Sequence, residues 1–351
     1  MMRLARNHPR DQGEESIAGI NRRHILLSAS ALIAAPAVVR AAGPDTVRFG
    51  VLHPNLTTVI HEIAKRTGAY ERNDLKVVET RFKSGQTVEG VEQLWRGNLD
   101  FYMGGAPEVP RLNSRLVESG GPPPLAVVSG ANPGHTSLVL GNKLQPKTID
   151  EIFNQPLRIA VSSLSSVHLA FFRGYLIAEK KIDLKSIAWR FMGIDGSNMV
   201  PALLTGQIDG FLHSEPTTTL AIVNKAGHLF MQAARGDMGP NPPPATLMSS
   251  RRAFIKDKNE IAKRFMRAIF DANEAYAKSP ATMAPLVAEW SGQDERIVAA
   301  AQERMNPTTS LTGPQAQKWW DFIGTAMVER GELSPKLKPF PDVFDLSLQP
   351  L

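Results

Sequence analysis

Two stretches of this chain, LWRGNLDF at residues 94–101 and LLTGQIDG at residues 203–210, align without a gap at an offset of 109 residues. Two further pairs keep nearly the same offset: VRFGV at 47–51 with LRIAV at 157–161, and MGGAP at 103–107 with LHSEP at 212–216. Similarity at one fixed offset indicates a duplicated structural unit. We therefore expect the chain to contain two related halves.

The repeated unit has a pattern of alternating strands and helices. Val88, Val91 and Trp95 predict one apolar stripe of a helix, which Gly97 ends, and Gly206 holds the same place in the second copy. Such alternation predicts parallel sheets covered by helices on both faces. Two copies predict an α/β fold with two lobes.

Two apolar runs outside the repeat, residues 135–140 and 245–250, predict strands that leave the first lobe and return to it. Two such crossings would form a hinge between the lobes. The predicted organisation is a leader at 1–41, a first lobe at 42–141 plus 245–351 that includes the C-terminal helices, and a second lobe at 142–244.

Composition excludes several classes of protein. The 351 residues are 42% hydrophobic and 21% charged, which is an ordinary globular mixture. The absence of cysteine excludes disulfides, thiolate-held metal clusters and thiol nucleophiles. Half of the net charge of +6 lies in the first 41 residues, and the remainder holds no block of five like charges, which argues against nucleic-acid binding. No apolar run reaches the ~20 residues of a membrane span.

The first 41 residues have the order of an export signal. Arg22 and Arg23 precede an apolar run at 25–39, and Val39 and Ala41 are small residues at the −3 and −1 places of a cleavage site. The arginine pair resembles a twin-arginine signal. We expect cleavage near Ala41 and a periplasmic mature protein.

Ligands of parallel α/β sheets collect beyond the carboxyl ends of the strands. This rule selects seven loops: 53–58, 84–87, 104–106, 132–135, 162–166, 195–198 and 213–215. Hydroxyl groups and histidines dominate these loops, and acids are few. Such a crevice favours a small polar or anionic ligand, such as a sulfonate, a carboxylate or nitrate, or a small heteroaromatic.

Several of these residues have a structural alternative. Ser166 could cap a helix as well as contact a ligand, and Glu215 could instead complement a helix dipole. His168 and His213 could be packed or solvated, and Asp100 and Asp209 read as structural.

The sequence carries few signals of an enzyme. It contains no Gly-x-Ser-x-Gly elbow, no phosphate-binding loop and no His-Glu-x-x-His. Ser165, His168 and Glu215 could be combined into a catalytic triad, but almost any cleft offers a serine, a histidine and an acid, so the combination has little specificity. We therefore expect no catalytic residues, no metal and no cofactor.

The exported leader, the stretch at 157–168, GQIDG at 206–210 and the Glu215-Pro216 pair together resemble a known family, the periplasmic solute-binding proteins of ABC importers for nitrate, aliphatic sulfonates and taurine, with the thiamine-precursor binders. The likeness covers about residues 47–276. It implies a type II, Venus-flytrap binding protein that closes on its solute and delivers it to a permease driven by a separate ATPase subunit. The expected partners therefore exclude nucleic acid, and the expected state is a monomer.

The resemblance also implies the ligand-contacting residues. They fall on Asn55, Leu56, Thr57, Ser84, Gly85, Gln86, Gly105, Ala106, Ser163, Ser165, Ser166, His168, Ser214 and Glu215. Many relatives have an aromatic residue just before the Glu-Pro pair, whereas His213 and Ser214 stand here, so the resemblance does not name the solute. Two alternatives stay open: an exported hydrolase or lyase that uses His168 or His213, and the ligand-binding subunit of a membrane sensor.

Overall fold

The computed structural model describes residues 43–83, 85–105, 107–133, 135–240, 242–305 and 308–350. The leader predicted at 1–41 lies outside the described residues and stays a prediction. Among the residues that the structure describes, no helix combines the length and the hydropathy that a membrane span requires.

The strands alternate with helices over most of the chain, as the repeat predicts. In chain order the strands are β1 (Asp45–Leu52), β2 (Leu75–Phe82), β3 (Phe101–Gly105), β4 (Leu125–Pro133), β5 (Ser137–Gly141), β6 (Arg158–Val161), β7 (Arg190–Gly193), β8 (Gly210–His213), β9 (Gly227–Gln232) and β10 (Pro244–Arg251). The helices are α1 (Ile60–Arg66), α2 (Ala69–Arg72), α3 (Thr87–Trp95), α4 (Glu108–Glu118), α5 (Val167–Ala178), α6 (Gly196–Leu204), α7 (Thr217–Val223), α8 (Arg252–Asp257), α9 (Asn259–Lys278), α10 (Pro280–Ser291), α11 (Glu295–Gln302), α12 (Gly313–Trp319) and α13 (Thr325–Glu329).

These strands form two five-stranded sheets with the same topology. The first sheet has the order β2-β1-β3-β10-β4, and the second has the order β7-β6-β8-β5-β9. In each sheet the first three strands are parallel, and the fourth, β10 or β5, is antiparallel to its neighbours. The α/β fold with two lobes is therefore confirmed, with mixed sheets where parallel ones were predicted.

The antiparallel strands are the two crossings that the sequence predicts. Each enters its sheet from the opposite half of the chain, so it begins at the edge where the parallel strands end and must run the other way. β5 falls inside the predicted first-lobe range of 42–141, yet its hydrogen bonds are with β8 and β9. A lobe boundary before Ser137 fits this pairing better than one after Gly141.

The duplication is also visible in a repeated ion pair. Arg48 donates from its backbone N, Nε and Nη2 to the carboxylate of Asp100, at 2.9, 3.1 and 2.7 Å. Arg158 donates from the same three atoms to Asp209, at 2.8, 2.9 and 2.8 Å. Each pair ties β1 or β6 to the turn before its parallel neighbour, β3 or β8, and the two aspartates are structural, as predicted.

Helix α3 buries a different face from the one predicted. Val91 and Leu94 are buried, but Val88 and Trp95 are 53% and 43% exposed. The buried face also carries Gly90, where a Cβ atom would lie 2.3 Å from the ring of Tyr102. Because a glycine lets the helix approach the sheet closely on that side, this face packs and the predicted stripe is wrong. The turn after the helix is as predicted, since Gly97 has a φ of 80° and Gly206 a φ of 69°.

The C-terminal helices do not all pack on the first sheet. Phe265 of α9 and Val298 of α11 belong to the core around the first sheet. Trp319 at the end of α12 instead lies fully buried in a core that includes Phe172 of α5. This contact is close, because a Cβ atom on Gly174 of α5 would lie 2.1 Å from the carbonyl oxygen of Phe322. The chain after α11 therefore covers part of the second lobe.

We predict that Asp100→Ala destabilises the protein more than Asp209→Ala does. The Asp100 side chain is 5% exposed and also accepts from Arg251, whereas that of Asp209 is 28% exposed. Removing a buried partner leaves the arginines unpaired, so we expect a loss of about 2–4 kcal/mol for Asp100→Ala and about 1 kcal/mol for Asp209→Ala. The measurement is urea denaturation at pH 7. Asp150→Ala, which breaks an exposed pair with Lys180, is the control, and equal losses for all three variants would contradict the prediction.

Candidate functional site

The ends of the strands of both sheets meet around one small cavity. Its volume is about 40 Å³, enough for about three water molecules. It is lined by Leu52, Asn55, Thr57, Thr87, Gly105, Pro107, Glu108, His135, Ser162, Ser163, Ser165, Ser166, Val167, His168, His213 and Thr246. Both lobes and the first crossing segment contribute to it.

Half of the predicted ligand-contacting residues line this cavity. They are Asn55, Thr57, Gly105, Ser163, Ser165, Ser166 and His168. Gln86 and Glu215 line a second, open groove instead. Leu56 is buried in the core of the first lobe, Ser214 is buried, and Gly85 lines neither space. Ser84 and Ala106 lie outside the described residues.

Five lining residues were missed by both the strand-end rule and the resemblance: Leu52, Pro107, Glu108, Val167 and Thr246. Thr246 is the most instructive of these, because it belongs to the antiparallel strand β10. The strand-end rule considers parallel strands, and an antiparallel crossing strand reaches the same edge with its beginning rather than its end. Glu108 follows the predicted loop directly, in the first turn of α4, and an acid at that place is an available signal.

Hydroxyl groups of the first lobe form a connected set on one side of the cavity. The Oδ1 atom of Asn55 accepts from the backbone N and from Oγ1 of Thr57, at 2.9 and 2.8 Å. Oγ1 of Thr57 lies 2.9 Å from Oγ1 of Thr246. These bonds hold the side chains in place before a ligand arrives, which reduces the entropy lost on binding.

Serines of the second lobe form the opposite side. Ser166 caps α5, since its Oγ accepts from the backbone N of Leu169 at 3.3 Å. It also lines the cavity, so the two roles that the sequence left open are compatible. Ser163 and Ser165 lie 3.1 Å apart through their Oγ atoms. Their hydroxyls can donate to or accept from a small polar ligand.

Three histidines line the cavity in a row. The ring centroids of His135 and His168 are 5.5 Å apart, and those of His168 and His213 are 5.2 Å apart. Burial is the main cause that lowers the pKa of His168, well below its usual range, and the pKa of His213; the neighbouring histidines lower that of His168 further. Both rings are therefore neutral at pH 7 in this closed cavity.

Glu108 contributes a carboxylate to the cavity lining, and this carboxylate forms an ion pair with Arg111. Oε1 of Glu108 accepts from Arg111 at 2.9 Å, and Arg111 also donates to Glu332 at 2.6 Å and to the carbonyl oxygen of Ser165 at 3.2 Å. Burial raises the pKa of Glu108, and Arg111 opposes that shift. Arg111 thus links α4 of the first lobe to the serine loop of the second.

Glu215 is hydrogen-bonded entirely within the protein. Its Oε2 accepts from the backbone N and Oγ1 of Thr219, at 3.0 and 2.7 Å, and its Oε1 pairs with Nε of Arg304 at 3.2 Å. Nη2 of Arg304 also donates to Oγ1 of Thr219 at 2.7 Å. The carboxylate therefore accepts hydrogen bonds in the first turn of α7 and pairs with Arg304, which directly follows α11 and precedes Met305 of the first lobe's core.

Ser165, His168 and Glu215 do not form a catalytic triad. Both oxygens of Glu215 have the partners just described, and Nδ1 of His168 lies 3.0 Å from Oγ1 of Thr136. Within the described residues, no group of three or more histidine, aspartate or glutamate side chains has a metal-binding arrangement. The contacts here are those of a hydrogen-bonding pocket.

An open groove of about 1020 Å³ adjoins the cavity. Asn55 and His213 line both spaces. The first lobe contributes Arg81 and Lys83 to the groove, and the second contributes Asp195, whose pKa is lowered mainly by hydrogen bonds from Ser197. The groove therefore borders the cavity at Asn55 and His213.

We predict that acid opens the empty cleft. The pKa values of His168 and His213 are lowered when the cavity is closed, so the closed state is unaffected above the ordinary value of about 6.5 and is disfavoured below it, by about 1.4 kcal/mol per pH unit for each histidine. The radius of gyration from small-angle scattering should rise between pH 7.5 and 5.5 in the ligand-free protein. His168→Gln should reduce that rise, and a radius independent of pH in the native protein would contradict the prediction.

Comparison with known proteins supports the fold and gives the family. The structure of the alkanesulfonate-binding protein SsuA from Xanthomonas axonopodis pv. citri, bound to MOPS, has a TM-score of 0.66 at 18% identity, covering 87% of this chain and 99% of that one. A ligand-binding component of an ABC-type import system from Staphylococcus aureus, with zinc bound, has a TM-score of 0.68 at 14% identity, covering 87% and 97%. The nitrate-binding protein NrtA from Synechocystis PCC 6803 has a TM-score of 0.62 at 14% identity, covering 84% and 83%.

These identities are low, so the structures establish the fold and leave the solute of this protein undetermined. No curated protein matches the sequence. The model of the NMT1-like family matches residues 40–291, which is well over half of the chain and includes both sheets. The resemblance drawn from the repeat and from the Glu-Pro pair is thereby confirmed, and the chain belongs to the NMT1-like family.

Proposed function

We propose that this protein is the extracytoplasmic substrate-binding component of an ABC importer. It binds a small polar or anionic solute between its two lobes and delivers it, chemically unchanged, to a permease that a separate ATPase drives. One observation carries the proposal: a small cavity lined by hydroxyls and imidazoles lies where the strand ends of both lobes meet. The predicted leader, periplasmic location and monomeric state belong to the same proposal.

The mechanism is closure on the solute. A ligand that contacts residues of both lobes stabilises the closed state by those contacts, which the open state lacks. Thr57 and Thr246 stand on the first-lobe side and Ser166 on the second, so one bound molecule can bridge them. A micromolar affinity corresponds to about 8 kcal/mol, which a few hydrogen bonds in a closed cleft can supply.

The binding proteins with similar folds support this role. They are proteins that bind alkanesulfonate or nitrate, or that belong to an ABC-type import system. The partners of Glu215 and His168 within the protein support binding without catalysis. Arg304 and Arg111 support closure, because each joins one lobe to a loop of the other.

We predict that a solute from a panel of sulfonates, carboxylates, nitrate and pyrimidines raises the melting temperature. At 100 times its dissociation constant the solute should add about 2.7 kcal/mol of stability. Thr246→Val removes one hydroxyl from the cavity and should weaken the same solute about 3- to 10-fold, as the loss of one hydrogen bond does. Calorimetric titration gives the affinity. Thr282→Val on exposed α10 is the matched control, and an unchanged affinity in Thr246→Val would place the solute elsewhere.

We predict a separate effect for Arg304→Gln. The buried carboxylate of Glu215 would lose its charged partner, which disfavours the closed state, so solute should dissociate at least about 10-fold faster. Arg304→Lys keeps the charge and should lie between this variant and the native protein. Stopped-flow fluorescence measures the rates. Identical dissociation rates in the three proteins would show that this ion pair does not stabilise the closed state.

A further inference from the structure

The three histidines of the cavity come from three separate elements. His135 lies in the crossing segment after β4, His168 in the first turn of α5, and His213 at the end of β8. They are 3%, 6% and 7% exposed. The fold therefore brings three titratable rings together in the space where, under the proposed function, the solute is held.

The hydrogen bonds of His213 define the chemistry that it presents. Its Nδ1 faces the carbonyl oxygen of Ser214 at 3.4 Å, and a carbonyl can only accept, so Nδ1 carries the proton in that contact. The Nε2 atom is buried beside Gly196 of α6 and has no hydrogen-bond partner among the residues that the structure describes. In the neutral ring this Nε2 offers a lone pair, which repels an anion. When it is protonated, the same atom donates a hydrogen bond and carries positive charge.

The cavity contains no fixed cation among its described lining residues. Arg111 lies behind Glu108 and is shared with Glu332, and Arg304 is bound to Glu215 and Thr219. Lys83 lines the outer groove only. An anion buried in such a cavity needs either charge compensation or a full set of neutral donors.

The charged and titratable groups around the rings are few. His168 faces His135 and His213, and His213 faces His168 and Asp195. Glu108 of α4 lines the same cavity, and Thr136 and Gly196 are the uncharged neighbours. The titratable groups inside the cavity are therefore the histidines and Glu108, and Glu108 is already paired with Arg111.

We propose that the solute is an anion that binds together with one proton, which Nε2 of His213 takes from solvent as the cleft closes. The solute's negative charge and the imidazolium then neutralise each other inside the cavity, and no arginine or lysine is needed. His168, beside His213, fills the space between it and His135. This inference rests on the proposed function and deepens it by assigning the charge of the solute and the residue that balances it.

The burial of the two rings is consistent with this arrangement. Burial disfavours the charged form of both rings, so the closed state without solute holds them neutral. An anion within hydrogen-bond distance reverses that preference. The association constant should accordingly be greatest at low pH and fall by up to about tenfold per pH unit above the ordinary pKa of histidine, until the complex itself loses the proton.

The test uses nitrate, ethanesulfonate and acetate as anionic probes and uracil as a neutral one. Thermal shifts from pH 5.5 to 8.0 identify the probes that bind, and calorimetric titration at pH 7 in phosphate and in Tris, which differ in ionisation enthalpy, counts the protons taken up. We expect at least one anion to bind with uptake of close to one proton. His213→Gln should abolish the uptake and flatten the pH dependence, while His228→Gln on β9, outside the cavity, should keep both.

The outcomes separate this inference from the proposed function. An anion that binds with no proton uptake, or uracil as the only probe that binds, overturns the proton-coupled site and leaves a solute-binding protein standing. Full uptake in His213→Gln overturns the assignment to that residue. A protein that no probe stabilises at any pH contradicts both proposals.

Discussion

The exchange of one strand between the two sheets is the constraint on which the rest of this structure depends. β5 and β10 are each hydrogen-bonded into a sheet whose parallel strands come from the other half of the chain. The lobes are therefore joined by these two crossings, as well as by the chain after α11 that packs on α5. Because each crossing strand begins at the edge where the parallel strands of its sheet end, the same geometry places the ligand cavity beside the crossings.

Most of the polar groups that line the cavity are uncharged. Hydroxyls of Thr57 and Thr246 face serines of the second lobe, and the nearby arginines are bound to the carboxylates of Glu108 and Glu215. A site of this kind binds a ligand through directional hydrogen bonds, and the protonation state of its histidines sets which ligands it accepts. Arg111 and Arg304, which make the interlobe contacts, are not among the residues that line the cavity.

Much of the fold could be predicted because short sequence patterns encode its elements and occur in both copies of the repeat. The repeat, the glycine turns and the crossing runs are patterns within a few residues, and each corresponds to an element of the structure. The buried face of α3 could not be predicted from apolar spacing alone. It depends on the close approach of Gly90 to Tyr102, which belongs to the sheet packed against that helix.

The sequence by itself determined the two-lobed α/β architecture, the loops that line the cleft and the structural role of Asp100 and Asp209, since these follow from short-range periodicity and a fixed offset. Only the tertiary structure decided which side chains share the cavity. Thr57 meets Thr246 across 189 positions of sequence, and Glu215 meets Arg304 across 89. Contacts at such separations depend on how the sheets and crossings pack, and no local pattern in the chain encodes them.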